Sequence, residues 1–321
     1  MGCPRNRVNS KAHRQNLPTL RARLLHLEPY FGARRMASLK GADIASYRTK
    51  RQAEGSGPSG INRELSALAR AFSLGRELEL LNESTLNVRK YHVAENPPRS
   101  GFFEASQYEA VMRHLTHIVV RVVDGKRRKI KVPADDLKLA CLIAYRLGWR
   151  KNEILMLERR QTSLDAADGM GTLCLDPGST KNDEGRYVVL PPDLKAAIAA
   201  QLQRLDTYQR QSGRITKYLF THTVGLHAGS RIRDFRRVWA TACKAAGVPA
   251  AIFHDFRRTA VRGMVNATVP ERVAMKITGH KTRSVFDRYH IVANGDLQRA
   301  AQLMATANQQ SDGVTQRGSQ A

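Results

Sequence analysis

The sequence is poor in cysteine and has no long apolar run. Its four cysteines are Cys3, Cys141, Cys174 and Cys243. They show no C-x-x-C or other metal-binding spacing and are too scattered for a disulfide framework, which favours a reducing compartment. A run of about 18 apolar residues, needed for a membrane-spanning helix, is missing, and the stretch MGCPRNRVNS lacks the apolar core of a secretory signal. We therefore expect a cytoplasmic protein with no membrane partner.

Several catalytic signatures are missing as well. The phosphate-binding loop G-x-x-x-x-G-K-[ST], the zinc-protease motif H-E-x-x-H and the hydrolase elbow G-x-S-x-G do not occur. The acidic residues show no spacing suited to a pair of metal ions, although carboxylates from distant segments can still converge in space. These absences argue against nucleotide hydrolysis, zinc proteolysis and serine-hydrolase chemistry.

Positive charge is what the chain has in excess. Its 321 residues include 53 Lys and Arg against 28 Asp and Glu, a net charge of +25. The first hundred residues hold 18 of the basic and 8 of the acidic residues, so both parts of the chain are basic. A positive field along the whole chain is expected if both parts bind the same polyanion. A soluble basic protein with no special partner is the alternative at this point.

The N-terminal part is predicted to be helical. Residues 1–17 are polar and basic, and we expect them to be flexible. A first helix is predicted from Leu17 to Phe31, with an apolar face made of Leu20, Leu24, Leu27 and Phe31. GADIASYRTKRQ predicts a second helix, GSGPSG at 55–60 a flexible loop, and INRELSALARAF a third helix with the apolar stripe Ile61, Leu65, Leu68 and Phe72. A fourth short helix and the stretch ENPPRSG follow, so we predict a helical domain at 18–96 and a linker at 97–102.

The remainder is predicted to be one mixed domain at 103–307, followed by a disordered tail at 308–321. A hairpin is predicted at 118–132, because apolar residues alternate around Asp124 and Gly125. TLCLD and RYVVL predict two further strands, joined by the turn-rich loop PGSTKNDEG. Most other segments have helical periodicity. The predicted fold class is therefore mainly α with a small antiparallel sheet.

Four stretches of this second domain carry the candidate site residues. They are Arg150 in LGWRKNEIL, Lys181 in GSTKNDEGRYVVL, His254 and Arg257 in FHDFRRTAVRG, and His280 and Tyr289 in TGHKTRSVFDRYH. Each of these alone has a simpler interpretation as solvated charge, a helix start or a packing tyrosine. All four together, in one basic chain, point to a shared site.

Attack of a phenol on a DNA phosphodiester needs these residue types together. A tyrosine hydroxyl with a pKa of about 10 is a weak nucleophile at neutral pH, unless its charge is stabilised as it forms. Two guanidinium groups, Arg150 and Arg257, can each donate paired hydrogen bonds to the non-bridging phosphate oxygens. A lysine on a turn, here Lys181, can protonate the leaving 5′-oxygen, and histidines can bind the phosphate or take the phenolic proton. The cations supply the electrophilic charge, so this chemistry requires no metal.

Together, LGWRKNEIL, HDFRRT, TGH and RYH resemble the tyrosine recombinases, also called the phage integrase family, over roughly residues 103 to 305. The resemblance implies a catalytic set of an arginine, a lysine, an H-x-x-R pair, a further histidine and a nucleophilic tyrosine. The matching positions are Arg150, Lys181, His254, Arg257, His280 and Tyr289. This chain has Trp149 and Asn152 where the family often has Leu and then Ser or Gly. We expect Asn152 to serve as a helix cap without loss of geometry.

The resemblance also implies an architecture and a reaction. A helical core-binding domain would precede an α+β catalytic domain, and the two would close around duplex DNA. The tyrosine would form a 3′-phosphotyrosyl link and free a 5′-hydroxyl, and a partner strand would reverse the step without metal or nucleotide cofactor. Four protomers on two DNA sites, accessory directionality or bending proteins and a nucleoid location are also implied. The segment GDLQRAAQLMATA would dock on a neighbouring protomer or pack in cis through Leu297, Ala301 and Met304.

Other interpretations remain open from the sequence. A type IB-like topoisomerase would use the same residues, but as a monomer that relaxes supercoils. A catalytically silent, sequence-specific DNA-binding protein is a further alternative, against which the complete set of six residues argues. The hairpin at 118–132 looks like an insertion relative to compact members of the family. The five Lys and Arg between Lys126 and Lys131 would either follow a phosphate backbone or solvate an edge strand.

Overall fold

The computed structural model describes residues 6–82, 86–97, 99–164, 169–178, 185–290, 296–298, 301–302 and 304. The chain divides into two compact units, residues 1–98 and 99–321. The division falls inside the segment 97–102, where the Pro-rich stretch predicts a linker. None of the described helices is long and apolar enough to cross a membrane.

The first unit is built from helices. They are α1 (Asn6–Phe31), α2 (Gly41–Ala53) and α3 (Pro58–Glu77), and a 3-10 turn at Val88–Tyr91 stands where a fourth short helix is predicted. Helix α1 begins at Asn6 rather than Leu17, because a polar stretch can be helical without giving an apolar periodic signal. Helix α3 begins at Pro58, inside the predicted loop, because proline fits the first turn of a helix.

The core of the first unit is formed by faces of these helices. The predicted stripe of α3 is buried throughout, at Ile61, Leu65, Leu68 and Phe72. On α1, Leu27 and Phe31 are buried, whereas Leu20 and Leu24 are exposed. Only the C-terminal end of the predicted apolar face of α1 therefore reaches the core.

The second unit combines helices with short antiparallel strands. Its helices are α4 (Ala105–His114), α5 (Asp135–Leu147), α6 (Lys151–Leu155), α7 (Pro192–Ser212), α8 (Arg236–Ala245), α9 (Phe256–Asn266), α10 (Glu271–Thr278) and α11 (Arg283–Asp287). Its strands are β1 (Thr116–Val123), β2 (Lys126–Pro133), β3 (Thr162–Ser163), β4 (Thr172–Leu175) and β5 (Arg186–Val189). Strands β1 and β2 form a separate hairpin, while β3, β4 and β5 form an antiparallel sheet in that order. The prediction of a mainly α fold with a small antiparallel sheet is confirmed.

Helix α5 lies in the core of the second unit. Seven of its 13 residues are buried, including neighbours in sequence that point in different directions. A helix that is apolar on most sides is normally enclosed by other elements. The turn that follows α5 packs against α9 and α10, since a Cβ added at Gly148 would meet Ala260 and Thr278. The core thus fixes the turn that leads to the candidate residue Arg150.

The predicted hairpin is present and slightly longer than expected. Thr116 pairs with Pro133 at its base, and Val123 pairs with Lys126 beside its turn. Asp124 and Gly125 form its turn with φ angles of +51° and +71°. Positive φ at both positions suits the right-handed twist of a two-stranded ribbon. Val119 is buried, while the alternate residues on the other face are exposed, namely Ile118, Val120 and Val122.

Some predictions fall outside the described residues. They concern residues 1–5, the tail at 308–321 and the loop 179–184, which contains Lys181. The predicted C-terminal helix is described only at residues 296–298, 301–302 and 304, all of which are helical. Leu297 and Met304 are exposed there, so neither belongs to the core of its own chain.

Candidate active site

Five of the six candidate residues lie close together in the second unit. They are Arg150 before α6, His254 and Arg257 around the start of α9, and His280 and Tyr289 on either side of α11. Rings of both histidines lie near the Tyr289 ring, with centroid distances of 5.8 Å and 4.8 Å. The sixth residue, Lys181, belongs to the loop between β4 and β5 and is outside the described residues.

Arg150 is placed by a glycine turn and a capping carboxylate. Gly148 ends α5 with a φ of +66°, in the left-handed region that glycine adopts without strain. Arg150 follows as the N-cap of α6, where its backbone N–H donates to the Glu153 carboxylate over 3.0 Å. Its Nη1 donates to the other oxygen of Glu153 over 2.8 Å. The guanidinium is therefore held by a residue one helical turn away.

The two positions that differ from the common family pattern have different consequences. Trp149 is buried, and its indole N–H donates to the carbonyl oxygen of Ile277 over 2.8 Å. This bond fastens the turn to the end of α10. The expectation that Asn152 caps α6 is wrong, because Arg150 occupies the N-cap position and Glu153 supplies the capping carboxylate.

Arg257 is a buried cation with one free donor. The residue is 2% exposed, and it donates from Nη1 to the carbonyl of Gly148 over 2.6 Å and from Nε to Nε2 of His280 over 3.0 Å. Its Nη2 is buried and has no hydrogen-bond partner among the described residues. Burial and then the charge of Arg150 lower the pKa of Arg257 to about 10, which leaves it charged at neutral pH. A buried charged donor without a partner is suited to an anionic oxygen.

His280 is locked into one orientation. Its Nε2 accepts from Arg257, and its Nδ1 lies 2.7 Å from the hydroxyl of Thr278, which itself donates to the carbonyl of Ala274. Nδ1 must therefore carry the proton and donate it to Thr278. Burial, followed by the charges of nearby arginines, lowers the pKa of His280 to about 3. In this arrangement His280 is neutral and orients Arg257, with both ring nitrogens engaged.

His254 is the partner of the tyrosine hydroxyl. Its Nε2 lies 3.1 Å from the phenolic oxygen of Tyr289. The 3-10 turn that carries it is fastened by Asp255, whose carboxylate accepts from the backbone of Ile252 over 2.9 Å and from Arg258 over 2.6 Å. Burial of part of the ring, and then the charges of Arg257 and other arginines, lower the pKa of His254. The ring is therefore neutral at pH 7 and able to accept a proton.

Tyr289 is held by the short helix in front of it. The stretch from His280 to Tyr289 contains the five-residue α11 between two turns. Thr282 caps α11 through its hydroxyl, and the fully buried Phe286 anchors it in an apolar cluster. The backbone N–H of Tyr289 donates to the carbonyl of Phe286 over 2.8 Å. The Arg257 guanidinium carbon lies 5.3 Å from the tyrosine ring centroid.

The cations that flank the tyrosine in sequence are outside this arrangement. Arg283 is engaged in ion pairs with Asp287 and Glu271. Arg288 is exposed. The charges that act on the tyrosine come instead from α9, as Arg257 and Arg258 lie 5.3 Å and 5.9 Å from its ring centroid.

Arg186 and Glu153 are site residues that the sequence did not reveal. Arg186 begins β5, directly after the loop that carries Lys181, yet its side chain is only 7% exposed. It pairs with Glu153 over 2.7 Å, donates to the carbonyl of Thr278 over 3.2 Å and lies 5.5 Å from the Trp149 ring centroid. A lone arginine at the start of a strand normally suggests a surface residue, so only the tertiary structure identifies it.

Glu153 joins two arginines through one buried carboxylate. The same oxygen, Oε1, accepts from Arg150 over 2.8 Å and pairs with Arg186 over 2.7 Å. Burial alone would raise the pKa of Glu153, but these arginines and the backbone bond from Arg150 hold it below the ordinary value. Its position three residues after Arg150 is a capping-box spacing, which is the one signal that sequence reasoning had available.

The assembled site is suited to an anion beside a phenol. Buried arginine charge, a neutral histidine on the phenolic oxygen and a free guanidinium donor share one location. Throughout the described ranges, no group of three or more His, Cys, Asp or Glu side chains is arranged to hold a metal ion. The buried arginine charge and the free guanidinium donor suit a phosphate-like group.

Comparison with known families gives one match that covers more than half of the chain. The model of the phage integrase family matches residues 108–295. That range includes all six candidate residues. Comparison with curated protein sequences gives no match.

Several solved structures have a similar fold at low sequence identity. A Tn1549 transposon integrase in complex with a circular intermediate DNA is 15% identical, with a TM-score of 0.65 and coverage of 92% of this chain and 97% of that one. A lambda integrase dimer bound to a COC′ core site is 14% identical, with a TM-score of 0.60 and coverage of 86% and 88%. The XerH site-specific recombinase in a post-cleavage complex with difH is 16% identical, with a TM-score of 0.63 and coverage of 91% and 80%. At these identities the likeness concerns the fold.

Proposed function

The chain belongs to the phage integrase family of tyrosine recombinases, and on that premise we propose that it is a site-specific DNA recombinase. It cleaves and rejoins duplex DNA through a 3′-phosphotyrosyl intermediate, without a metal or nucleotide cofactor. The observation that carries this proposal is the position of Tyr289. Its hydroxyl lies 3.1 Å from a neutral histidine nitrogen, and its ring lies beside the buried Arg257, which has a free donor.

The first step forms one bond and breaks another. The phenolic oxygen of Tyr289 attacks the phosphorus of a DNA phosphodiester, and its proton passes to Nε2 of His254. Arg150 and Arg257 bind the non-bridging oxygens, on which negative charge increases in the transition state. Lys181 protonates the leaving 5′-oxygen, so a free 5′-hydroxyl results. The energy of the phosphodiester is kept in the tyrosyl link.

The second step reverses the first with a different strand. A 5′-hydroxyl attacks the phosphotyrosyl phosphorus, its proton passes to Lys181, and the protonated His254 returns a proton to the departing phenolate. His280 keeps Arg257 oriented through its Nε2 during both steps. Since each step is a transesterification, the sum of the two requires neither water nor a nucleotide.

Several features of the assembly follow from the same proposal. Residues 18–96 serve as a core-binding domain and residues 103–307 as the catalytic domain on duplex DNA. Four protomers bring two DNA sites together, and the exposed Leu297 and Met304 are positioned for contact with another protomer. Accessory bending or directionality proteins complete the assembly. Binding is dominated by phosphates and is therefore strongly dependent on salt.

Covalent trapping tests the proposal. The full chain is incubated with nicked duplexes that carry the sequences bordering its gene, so that cleavage releases a short fragment and prevents rejoining. We expect a covalent protein–DNA adduct that is absent from Tyr289→Phe and retained by Tyr187→Phe, which alters an exposed tyrosine. A label at the 5′ end of the cleaved strand must stay with the protein. No adduct on the correct site, or an adduct in Tyr289→Phe, contradicts the proposal.

A plasmid assay separates recombination from relaxation. A recombinase exchanges segments between two copies of its site, whereas a type IB-like topoisomerase relaxes supercoiled plasmids that lack the site. We expect exchange that requires both sites. Relaxation of plasmids without the site, and no exchange, would support the topoisomerase alternative.

A further inference from the structure

The hairpin formed by β1 and β2 has two faces of different character. Cross-strand partners point to the same side of an antiparallel ribbon. The outer face consists of three rows, in each of which an aliphatic residue of β1 stands opposite a cation of β2. The rows are Ile118 with Lys131, Val120 with Lys129, and Val122 with Arg127. All six side chains are exposed.

The opposite face, here called the inner face, anchors the hairpin. At its base Val119 is buried, and His117 is half-buried and bonds to Asp136 over 2.7 Å. Near the tip the same face carries further exposed cations, which are Arg121, Lys126 and Arg128. The hairpin is thus fastened at its base, where Ile118 and Lys131 of the outer face also line a cavity together with residues 222–227. The other four outer-face residues are exposed.

The hairpin cations differ from most of those elsewhere in the second unit. The hairpin has six Lys or Arg and one carboxylate, Asp124, in residues 116–133. Within the described residues the only ion pair of this group joins Arg128 to Asp124 at 3.9 Å. The outer-face cations Arg127, Lys129 and Lys131 have no carboxylate partner in that part of the chain. Unpaired cations in a row fit a polyanion rather than solvent alone.

From this surface we propose that the outer face of the hairpin lies in the major groove of duplex DNA, which deepens the proposed function and rests on it. A two-stranded ribbon is narrow enough for the major groove, which is about 12 Å wide. Alternate residues of a strand lie about 6.8 Å apart, which equals two base-pair steps of about 3.4 Å. The cations of β2 then contact every second phosphate of one strand. The aliphatic residues of β1 contact base edges such as thymine methyl groups.

A second copy of this chain fits the outer face less well. Neither strand of the ribbon pairs with a third strand within the described residues, and an exposed ribbon can add a strand from another molecule. Lysine and arginine along an edge, however, are what natural sheets use to prevent such pairing. Two such hairpins would also bring together twelve cations with two carboxylates. Charge complementarity therefore selects DNA.

Two triple variants of equal charge test the proposal. The outer variant is Arg127→Gln, Lys129→Gln and Lys131→Gln, and the matched control is Arg121→Gln, Lys126→Gln and Arg128→Gln on the inner face. The affinity of the full chain for a mixed-sequence duplex is measured from ~50 to ~200 mM KCl. The slope of log affinity against log salt is negative. We expect its magnitude to fall by about 2 to 3 in the outer variant, and by less than about 1 in the control. Equal slopes in the two variants overturn the proposal, because net charge alone would then explain binding.

A third variant tests the aliphatic residues. We expect Ile118→Ser, Val120→Ser and Val122→Ser together to weaken DNA binding several-fold without changing the salt slope, because no phosphate contact is lost. If this variant keeps full DNA affinity but changes the molar mass of the DNA-free protein in solution, the face is a protein interface and the proposal is wrong. Far-UV circular dichroism confirms that each variant is folded.

The outcomes for the wild type separate the two proposals. If the wild-type chain forms the Tyr289 adduct but the two triple variants have equal salt slopes, the proposed function stands and the hairpin inference is wrong. A wild-type chain that binds no duplex at all contradicts both.

Discussion

The phenolic oxygen of Tyr289 and Nε2 of His254 lie 3.1 Å apart, although the two residues are 35 positions apart in sequence. The contact joins the turn before α9 to the turn after α11. A hydroxyl and a neutral imidazole at this distance are arranged for direct proton transfer.

The pH dependence of cleavage follows from the state of His254. Cleavage requires the neutral ring, and burial together with neighbouring arginines lowers the pKa of His254 below 6.5. Since the folded-state pKa is lowered, most of the rings are still neutral at pH 6.5, and activity decreases as the pH falls through the lowered pKa. We expect His254→Gln to form the adduct about 100- to 10,000-fold more slowly and to lose this acidic decline. Single-turnover rates from acidic to neutral pH provide the measurement, and an unchanged decline in the variant would rule out His254 as the proton acceptor.

The role of Arg257 depends on its shape as well as its charge. It donates in two directions within the protein and keeps Nη2 free. Lysine has no planar guanidinium group, so Arg257→Lys keeps the charge but cannot donate to Gly148, His280 and a phosphate oxygen at the same time. We expect adduct formation to slow by about 100- to 1,000-fold in this variant. When Arg257→Lys is added to Tyr289→Phe, we expect the affinity for DNA to change little. Full activity of Arg257→Lys would show that charge alone is sufficient.

Lys181 is proposed as the acid for the leaving group, which a modified substrate tests. Replacing the bridging 5′-oxygen with sulfur creates a leaving group that needs no proton, since thiols have a pKa of about 8.5. We expect Lys181→Ala to be about 100- to 10,000-fold slower on the oxygen substrate and close to wild type on the sulfur substrate. Arg257→Lys is the control, because its defect concerns the non-bridging oxygens and must persist on both substrates. A Lys181→Ala defect of equal size on both substrates would refute the assignment.

Arg186 is expected to position the site without touching the reacting atoms. Removing it leaves the buried Glu153 with one arginine partner and releases the turn at Thr278. Loss of one partner of a buried pair typically costs about 3 to 5 kcal/mol, so Arg186→Met is predicted to lower the free energy of unfolding by this order. The matched control Arg283→Met alters an arginine that is 65% exposed and also paired with carboxylates, and it is expected to cost less than about 1 kcal/mol.

Kinetics distinguish positioning by Arg186 from a purely structural role. In Arg186→Met we expect slower adduct formation at saturating DNA, with unchanged DNA affinity in the Tyr289→Phe background. Adding Glu153→Gln removes the buried carboxylate charge that has lost one of its two arginine partners, so stability is expected to recover in part while the cleavage rate does not. Recovery of both would indicate that Arg186 acts on stability alone.

Two glycines of the same unit are predicted to respond in opposite directions to alanine. Gly279 has a φ of +72°, and an added Cβ would lie 2.6 Å from the Arg186 guanidinium. Gly279→Ala is therefore expected to destabilise the protein by at least about 1 to 2 kcal/mol and to slow cleavage. Gly263 lies within α9, and a Cβ added there would meet no other atom within 4 Å, so Gly263→Ala is expected to stabilise by about 0.5 to 1 kcal/mol. Denaturant unfolding of both variants checks the signs.

The sequence by itself determined the fold class and most of the candidate site. Periodic apolar residues, such as the α3 stripe, specify helices because one face must be buried. Asp124 and Gly125 specify the hairpin turn because few residues accept positive φ. The spacing of His254 and Arg257 places both at one helix start, and the glycine before His280 ends α10 in the left-handed region. These are local properties, and local chemistry is what a sequence pattern reports.

Only the tertiary structure decided which distant groups meet. The start of α1 could not be predicted, because a polar helix carries no apolar period. Arg186 has the sequence context of a surface residue, but its side chain is buried against Glu153 of α6 and the end of α10. Likewise, the neutral state of His280 and the free donor of Arg257 depend on burial among charges from separate segments. Burial and electrostatic coupling arise from residues that are remote in sequence, so no local pattern could have specified them.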